Sequence, residues 1–276
     1  MFKYFFHFIC IVFLIPEIIL SQSTYYVSVT GNNSNNGLTA NTAFATLEYA
    51  SNIVAVGDSV LVLSGNYTGF DIRTSGTPIQ PIVFKALSND VIINVRNPIT
   101  TDGINIEDAD WIEVLGFNVI NQPRAGIRIV LSDFVTIKNN TCSNNYKWGI
   151  FTGFTNDILI ENNSCSYSED EHGIYVSNSS DRPTIINNHS FFNNGCGIHM
   201  NGDLSMGDDG IISNAVIAGN IIHDNGVGGG SAINMDCVLD SKIYNNLIYN
   251  NHATGIAMYQ IDGAEGSKNN KVFNNT

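Results

Sequence analysis

A glycine followed by alternating apolar residues returns along this chain at almost constant spacing. The copies are Gly103-Ile104-Asn105-Ile106, Gly126-Ile127-Arg128-Ile129, Gly149-Ile150-Phe151-Thr152, Gly173-Ile174-Tyr175-Val176 and Gly197-Ile198-His199-Met200. Ala232-Ile233-Asn234-Met235 and Gly255-Ile256-Ala257-Met258 continue the series. With Ala232 in the place of the sixth glycine, the intervals are 23, 23, 24, 24, 35 and 23 residues. Alternation of period two marks each copy as a strand with one buried face. A second short strand in each unit runs into asparagine, as in Thr136-Ile137-Lys138-Asn139-Asn140 and Leu159-Ile160-Glu161-Asn162-Asn163. So many strands in so few residues leave no room for a helix, and such coils stacked at about 4.8 Å form a parallel β-helix. Asn140, Asn163, Asn188, Asn220 and Asn246 are expected to stack as a structural ladder at its corners, because asparagine tolerates left-handed φ and bonds locally.

Composition narrows the setting. Only 13% of the 276 residues are charged while 43% are hydrophobic, which excludes an acidic disordered chain. Twelve Lys and Arg against 25 Asp and Glu give a net charge of -13, a surface that repels phosphate backbones and disfavours nucleic acid. Lys3, the apolar run from Phe5 to Ile15, and Ser21-Gln22-Ser23 read as a signal peptide over residues 1–23, with no stable membrane insertion after its removal. A secreted, periplasmic or extracellular location and a monomer are expected. Cys142, Cys165, Cys196 and Cys237 match no zinc pattern. Cys142 and Cys165 recur two residues past the ladder asparagine, so they should stack inward, with a disulfide as the alternative.

Residues 24–101 differ from the repeats at 102–276 and read as an N-terminal cap with the first coils. Tyr25-Tyr26-Val27-Ser28 is an expected strand, and Phe44, Leu47, Ala50 and Val54 have the spacing of a short helix covering the open end of the stack. The run from Tyr25 through GNNSNNG, FATLEYA, GDSVLVLSGNYTG and PIQPIVFKA resembles the opening segment of secreted right-handed parallel β-helix proteins. It is similar to family nine polysaccharide lyases within the pectate-lyase-like superfamily. The resemblance implies an all-β right-handed solenoid and a polysaccharide partner, but the fold hosts lyases, hydrolases, epimerases and adhesins alike. The chain stops at Asn274-Asn275-Thr276 inside a coil, and a truncated C-terminus is expected.

Alternation also lists the outward side chains. The second position after glycine reads Asn105, Arg128, Phe151, Tyr175, His199, Asn234, Ala257; the fourth reads Glu107, Val130, Gly153, Ser177, Asn201, Asp236, Tyr259; the position before glycine includes Trp148, His172 and Cys196. A merely solvated face would carry Thr, Ser, Lys and Glu. Mixed aromatic and polar groups grip sugars, so Arg128, Trp148, Tyr175, Asn201, Asn234 and Tyr259 are candidate substrate contacts. The long interval holds the insertion from Asp203 to Gly210, whose Asp203, Asp208 and Asp209 are the candidate ligands of a Ca2+ cofactor, with Glu171 and Asp236 nearby. Two chemistries fit. A lyase of the resembled family pairs an acidic calcium site with a Lys base, and no Lys occupies the outward columns. A hydrolase or epimerase would use His199 or His172 as a proton shuttle near neutral pH, with Asp236 or Asp208 as carboxylate partner. The lyase type is slightly favoured; the alternative is a non-catalytic glycan-binding or surface structural module.

Overall fold

The computed structural model describes residues 22–276, so the expected export segment lies outside the described residues except for Gln22 and Ser23. The chain winds as a right-handed parallel β-helix. A full coil contributes one strand to each of three parallel sheets, the two ends of the described chain add one strand each to the first sheet alone, and Ile212–Ser213 pairs separately with Val238–Leu239. The first sheet pairs ten strands, from Thr24–Val27 to Lys271–Phe273. The second pairs eight, from Phe70–Ile72 to Ile256–Tyr259, and the third eight, from Gly65–Thr68 to Leu247–Tyr249. Among the described residues no helix is long and apolar enough to cross a membrane.

The apolar alternation forms one continuous core. Ile104, Ile127, Ile150, Ile174, Ile198 and Ile233 stack in register at 0% exposure, as do Val114, Ile137, Ile160, Ile185 and Ile217 from the first sheet. Cys142 and Cys165 are register partners inside this core, fully buried, and both are free thiols.

The asparagine corners divide their work between two residues. The first of each pair takes the left-handed conformation: Asn139, Asn162, Asn187 and Asn245 have φ of 58°, 55°, 57° and 56°, with Gly219 standing in once at 67°. The ladder asparagine that follows turns inward and makes the bonds, so left-handed tolerance belongs to its neighbour. Asn188 Oδ1 accepts from the backbone N–H and Nδ2 of Asn163 at 2.8 and 3.0 Å. Its own Nδ2 donates to Ile160 O and to Asn220 Oδ1, at 2.8 and 3.1 Å. The pattern runs from Asn140 to Asn275. A second ladder, Asn193–Asn225–Asn251, repeats it at another corner.

The repeat glycines from Gly103 to Gly197 are required by space. A Cβ on Gly126 would sit 2.7 Å from Gly149 O, and one on Gly149 2.6 Å from Gly173 O. From Gly103 to Gly197 successive coils therefore touch backbone to backbone along this seam, where a side chain would overpack; Ala232 takes the sixth place, and at Gly255 a Cβ would meet nothing closer than 3.7 Å.

At the N-terminal end the helix spans Leu47–Ile53, shorter than the apolar spacing suggests, because Thr46 caps it by accepting from Tyr49 N–H. Phe44 precedes the helix and bridges to Val27, yet Phe44, Leu47, Ala50 and Val54 are all buried over the stack as their spacing requires.

Asn188→Ala leaves two buried donors of Asn163 without acceptors and should cost about 2–5 kcal/mol in denaturant unfolding. Asn187→Gly, at the left-handed position beside it, should lie within about 0.5 kcal/mol of wild type.

Candidate functional site

The register of the second sheet turns the two outward columns into neighbours in space. Arg128, Phe151, Tyr175, His199, Asn234 and Ala257 are consecutive pairing partners, as are Ser177, Asn201, Asp236 and Tyr259. Trp148 and His172 reach the same patch from the position before their glycines.

An aromatic step forms its first half. Trp148 stacks on Phe151 at 4.4 Å between centroids, and Tyr175 meets Phe151 edge-on at 5.4 Å. Trp148 is held from behind by Glu171, whose carboxylate accepts from the indole Nε1 and from Lys147 Nζ, both at 2.7 Å. The Lys147 ammonium lies 5.3 Å from the Trp148 ring centre. Glu171 raises the Lys147 pKa by this hydrogen bond, so the lysine stays charged. Placed by the sequence beside the candidate calcium ligands, Glu171 is the clasp of the aromatic step.

The second half is a histidine pair. His172 Nε2 and His199 Nδ1 are 2.8 Å apart, and the rings also pack against Tyr175 at 5.1 and 4.9 Å. The backbone N–H of Cys196 donates to His172 Nδ1 at 3.0 Å. That bond assigns the tautomers: His172 carries its proton on Nε2 and donates it to His199 Nδ1, so His199 is protonated on Nε2. His199 Nε2 is buried without a partner, and so is Oδ1 of its register neighbour Asn234. Burial pushes His172 down to about 4, with Lys147 adding to the shift. Burial and then His172 push His199 down to about 3, against the opposing pull of Asp236 and Glu171. Near-neutral poise, expected from the residue type, is thus displaced by desolvation, and both rings are neutral at pH 7.

The other candidates take varied places. Asp236 is fully buried and accepts from Ile261 N–H and Asp262 N–H; its charge acts on His199 but no hydrogen bond joins them. Tyr175 lies beside Ser177 and Asn201, which lower its pKa against a larger rise from burial. Tyr259 pairs with Asp236 in register, and burial raises its phenol. Arg128 sits one coil before Phe151 and is tied to Asn105 and Glu107 at 2.6 and 2.8 Å. In the insertion, Asp203 caps the short turn Leu204–Met206, Asp209 accepts from Ile211 N–H, and Asp208 holds a left-handed φ of 60°. Among the described residues, the one set of three metal-ligating side chains with ligand atoms within 4.8 Å of one another is His172, Cys196 and His199.

A second constellation escaped the column reading because it lies on the third sheet. His189 Nε2 and His223 Nε2 are 2.7 Å apart, and His223 Nδ1 is 2.7 Å from Asp224. Phe191, His223 and Tyr249 stack there in register at 5.3 and 4.7 Å. Its signal was available: the same alternation, applied after Asn188 and Asn220, points Phe191 and His223 outward together.

Residues 51–276 match the family described as periplasmic copper-binding protein (NosD). No curated protein matches significantly. Among solved structures, pectate lyase Pel9A is similar with a TM-score of 0.71 and 18% identity, over 92% of this chain and 70% of that one. An alginate lyase from Paenibacillus sp. str. FPU-7 is similar with a TM-score of 0.61 and 17% identity, over 82% and 83%. The periplasmic alginate epimerase AlgG follows with 0.56 and 13%, over 80% and 60%. At these identities the likeness shows the pectate-lyase-like β-helix fold.

The histidine pair gives a pH test with a definite sign. Folded values below the ordinary 6.5 mean that the unfolded chain binds more protons as pH falls. Stability from the neutral pair is complete above pH 6.5 and is lost as pH drops towards 4 and then 3. Denaturant unfolding at about pH 7.5 and about pH 4.5 should therefore show a larger loss for wild type than for His199→Gln.

Proposed function

We propose, for a chain that belongs to the periplasmic copper-binding protein (NosD) family, an exported β-helix that takes a polysaccharide along the outer face of its second sheet. The observation carrying this reading is the junction of the aromatic step with two unpaired polar atoms. Trp148, Phe151 and Tyr175 offer apolar ring faces, and one coil further on His199 Nε2–H and Asn234 Oδ1 lie in register without partners. A sugar ring stacks on the first, and a hydroxyl that accepts from one atom and donates to the other satisfies the second. The similar structures named for pectate and alginate chemistry support a polysaccharide as the ligand class.

The finer reading is proton transfer of the lyase or epimerase type. It needs a free lone pair, and both histidine acceptors are engaged. His172 Nε2 lies 3.9 Å from Glu171 Oε2, so turning its N–H to that carboxylate would open His199 Nδ1 as the base. Lys147 is held charged by Glu171 and does not supply one.

Copper binding, named in the family's description, is a second reading, favoured by the convergence of Cys196 with the two histidines.

Affinity electrophoresis and turnover on a panel including polygalacturonate and alginate separate binding from cleavage. Trp148→Ala should weaken glycan binding by about tenfold, the scale of one lost aromatic contact of about 1.4 kcal/mol. Retained binding in this variant would remove the second sheet as the polysaccharide face. His199→Ala should abolish growth of the unsaturated-uronate absorbance while leaving Trp148-dependent binding in place. A chelator arm tests whether turnover depends on calcium at Asp203, Asp208 and Asp209. Absorbance that never rises with any polymer, beside intact binding, leaves the binding reading alone.

A further inference from the structure

We propose that Cys196 Sγ and His199 Nδ1 hold a single Cu(I) ion in two-coordinate form, and that His172 is the group that yields the imidazole lone pair to it. The proposal rests on the copper reading above and assigns it residues, oxidation state and coordination number.

The strand start supplies both donors. Cys196 stands one residue before Gly197 and His199 two after it, and the glycine seam brings both side chains to the same patch. Sγ and Nδ1 lie 4.0 Å apart. Bonds of the length seen at zinc, about 2.3 Å to sulfur and about 2.0 Å to nitrogen, would span about 4.3 Å in line, and those of two-coordinate Cu(I) are shorter, so the gap already has nearly the width of a linear site. The tautomer is also in place, since His199 carries its proton on Nε2 and keeps Nδ1 as the lone-pair nitrogen.

One hydrogen bond must give way, the one from His172 Nε2–H to that lone pair. Glu171 Oε2, 3.9 Å from His172 Nε2, is a ready acceptor for it. His172 itself is not a ligand: with Nδ1 taken by the Cys196 N–H, binding through Nε2 would leave the ring with no proton at all.

Charge and softness choose the ion. Cys196 is 1% exposed, so a thiolate with a monovalent cation forms a neutral unit there, whereas a divalent ion would leave a buried positive charge. Thiolate with imidazole suits Cu(I) among biological metals. Space over the sulfur is kept by Gly230, at φ 106°, where a Cβ would lie 2.6 Å from Sγ. This glycine belongs to the run Gly226-Val227-Gly228-Gly229-Gly230. The step is balanced without redox change: the Cys196 S–H bond breaks, its proton leaves to solvent, and one S–Cu and one N–Cu bond form.

The test is an anaerobic titration of the full chain with Cu(I) against a chromophoric Cu(I) chelator. Wild type should take up one ion, release one proton, gain a near-ultraviolet thiolate-to-copper band and unfold at a higher temperature. X-ray absorption of that complex should report one sulfur and one nitrogen neighbour; a shell of three or more ligands overturns the two-coordinate assignment without any variant. Cys196→Ser, checked for its fold by circular dichroism, should lose the band and the uptake. Uptake undiminished in Cys196→Ser overturns this site but leaves the copper reading standing, whereas no uptake by wild type ends both. His172→Ala removes the competing N–H and should bind at least as tightly, an effect opposite in sign to structural damage. A folded His172→Ala that binds at least about tenfold more weakly makes His172 a ligand and overturns its role here. Trp148→Ala should leave copper uptake unchanged, which separates this site from the polysaccharide face.

Discussion

From Phe117 onward every coil of this solenoid depends on the next for its corner hydrogen bonds. An asparagine at the turn accepts from the N–H of one coil while its amide reaches both a buried carbonyl and the asparagine beyond, so no corner is satisfied in isolation. The cost of an unmet buried donor, about 1–3 kcal/mol, is high enough that a slip by one residue at any corner is penalised at once. That penalty fixes the register of all three sheets. It is also the reason residues 24 apart, such as Tyr175 and His199, are held at one strand spacing.

The candidate site inherits its rigidity from this arrangement. Its rings stand on strand positions whose inward neighbours, Ile174, Val176, Ile198 and Met200, are fully buried. The backbone then sets where each ring begins, and hydrogen bonds set how it is turned. Glu171 orients Trp148, the Cys196 N–H orients His172, and His172 orients His199. The last two act in series and leave the His199 Nε2–H buried without a partner, beside an acceptor on Asn234 that has no partner either.

The architecture and both outward columns were legible because they follow from spacing and alternation alone. The hydrogen-bonded contact of His172 with His199 was not, since it joins the position before one glycine to the position after the next and depends on side-chain rotation. Burial hid in the same way: a histidine on an outward position reads as solvated, whereas packing by Tyr175 and His172 and the burial around the ring remove its water and with it any charge near neutrality. Cys196, set aside because no zinc spacing contains it, acquires its neighbours only when coils are stacked. The second asparagine ladder passed unnoticed because Gln122 and Ser168 interrupt it in two coils, although Gln122 still donates its backbone N–H to Asn145 and Ser168 its own to Asn193.

The glycine seam has a consequence for how such a surface can diversify. Where carbonyl groups of adjacent coils press against bare Cα atoms, no new functional group can be planted, and the strand faces beside it are already committed to stacking. Novelty is left to the corners, which can lengthen outward without disturbing the wound backbone. The Asp203 to Gly210 excursion is such a lengthening, grafted onto a coil whose neighbours keep the standard circumference. A solenoid of this kind is thus a conservative cylinder with permissive rims, and its recognition properties should be exchangeable by transplanting rims between cylinders.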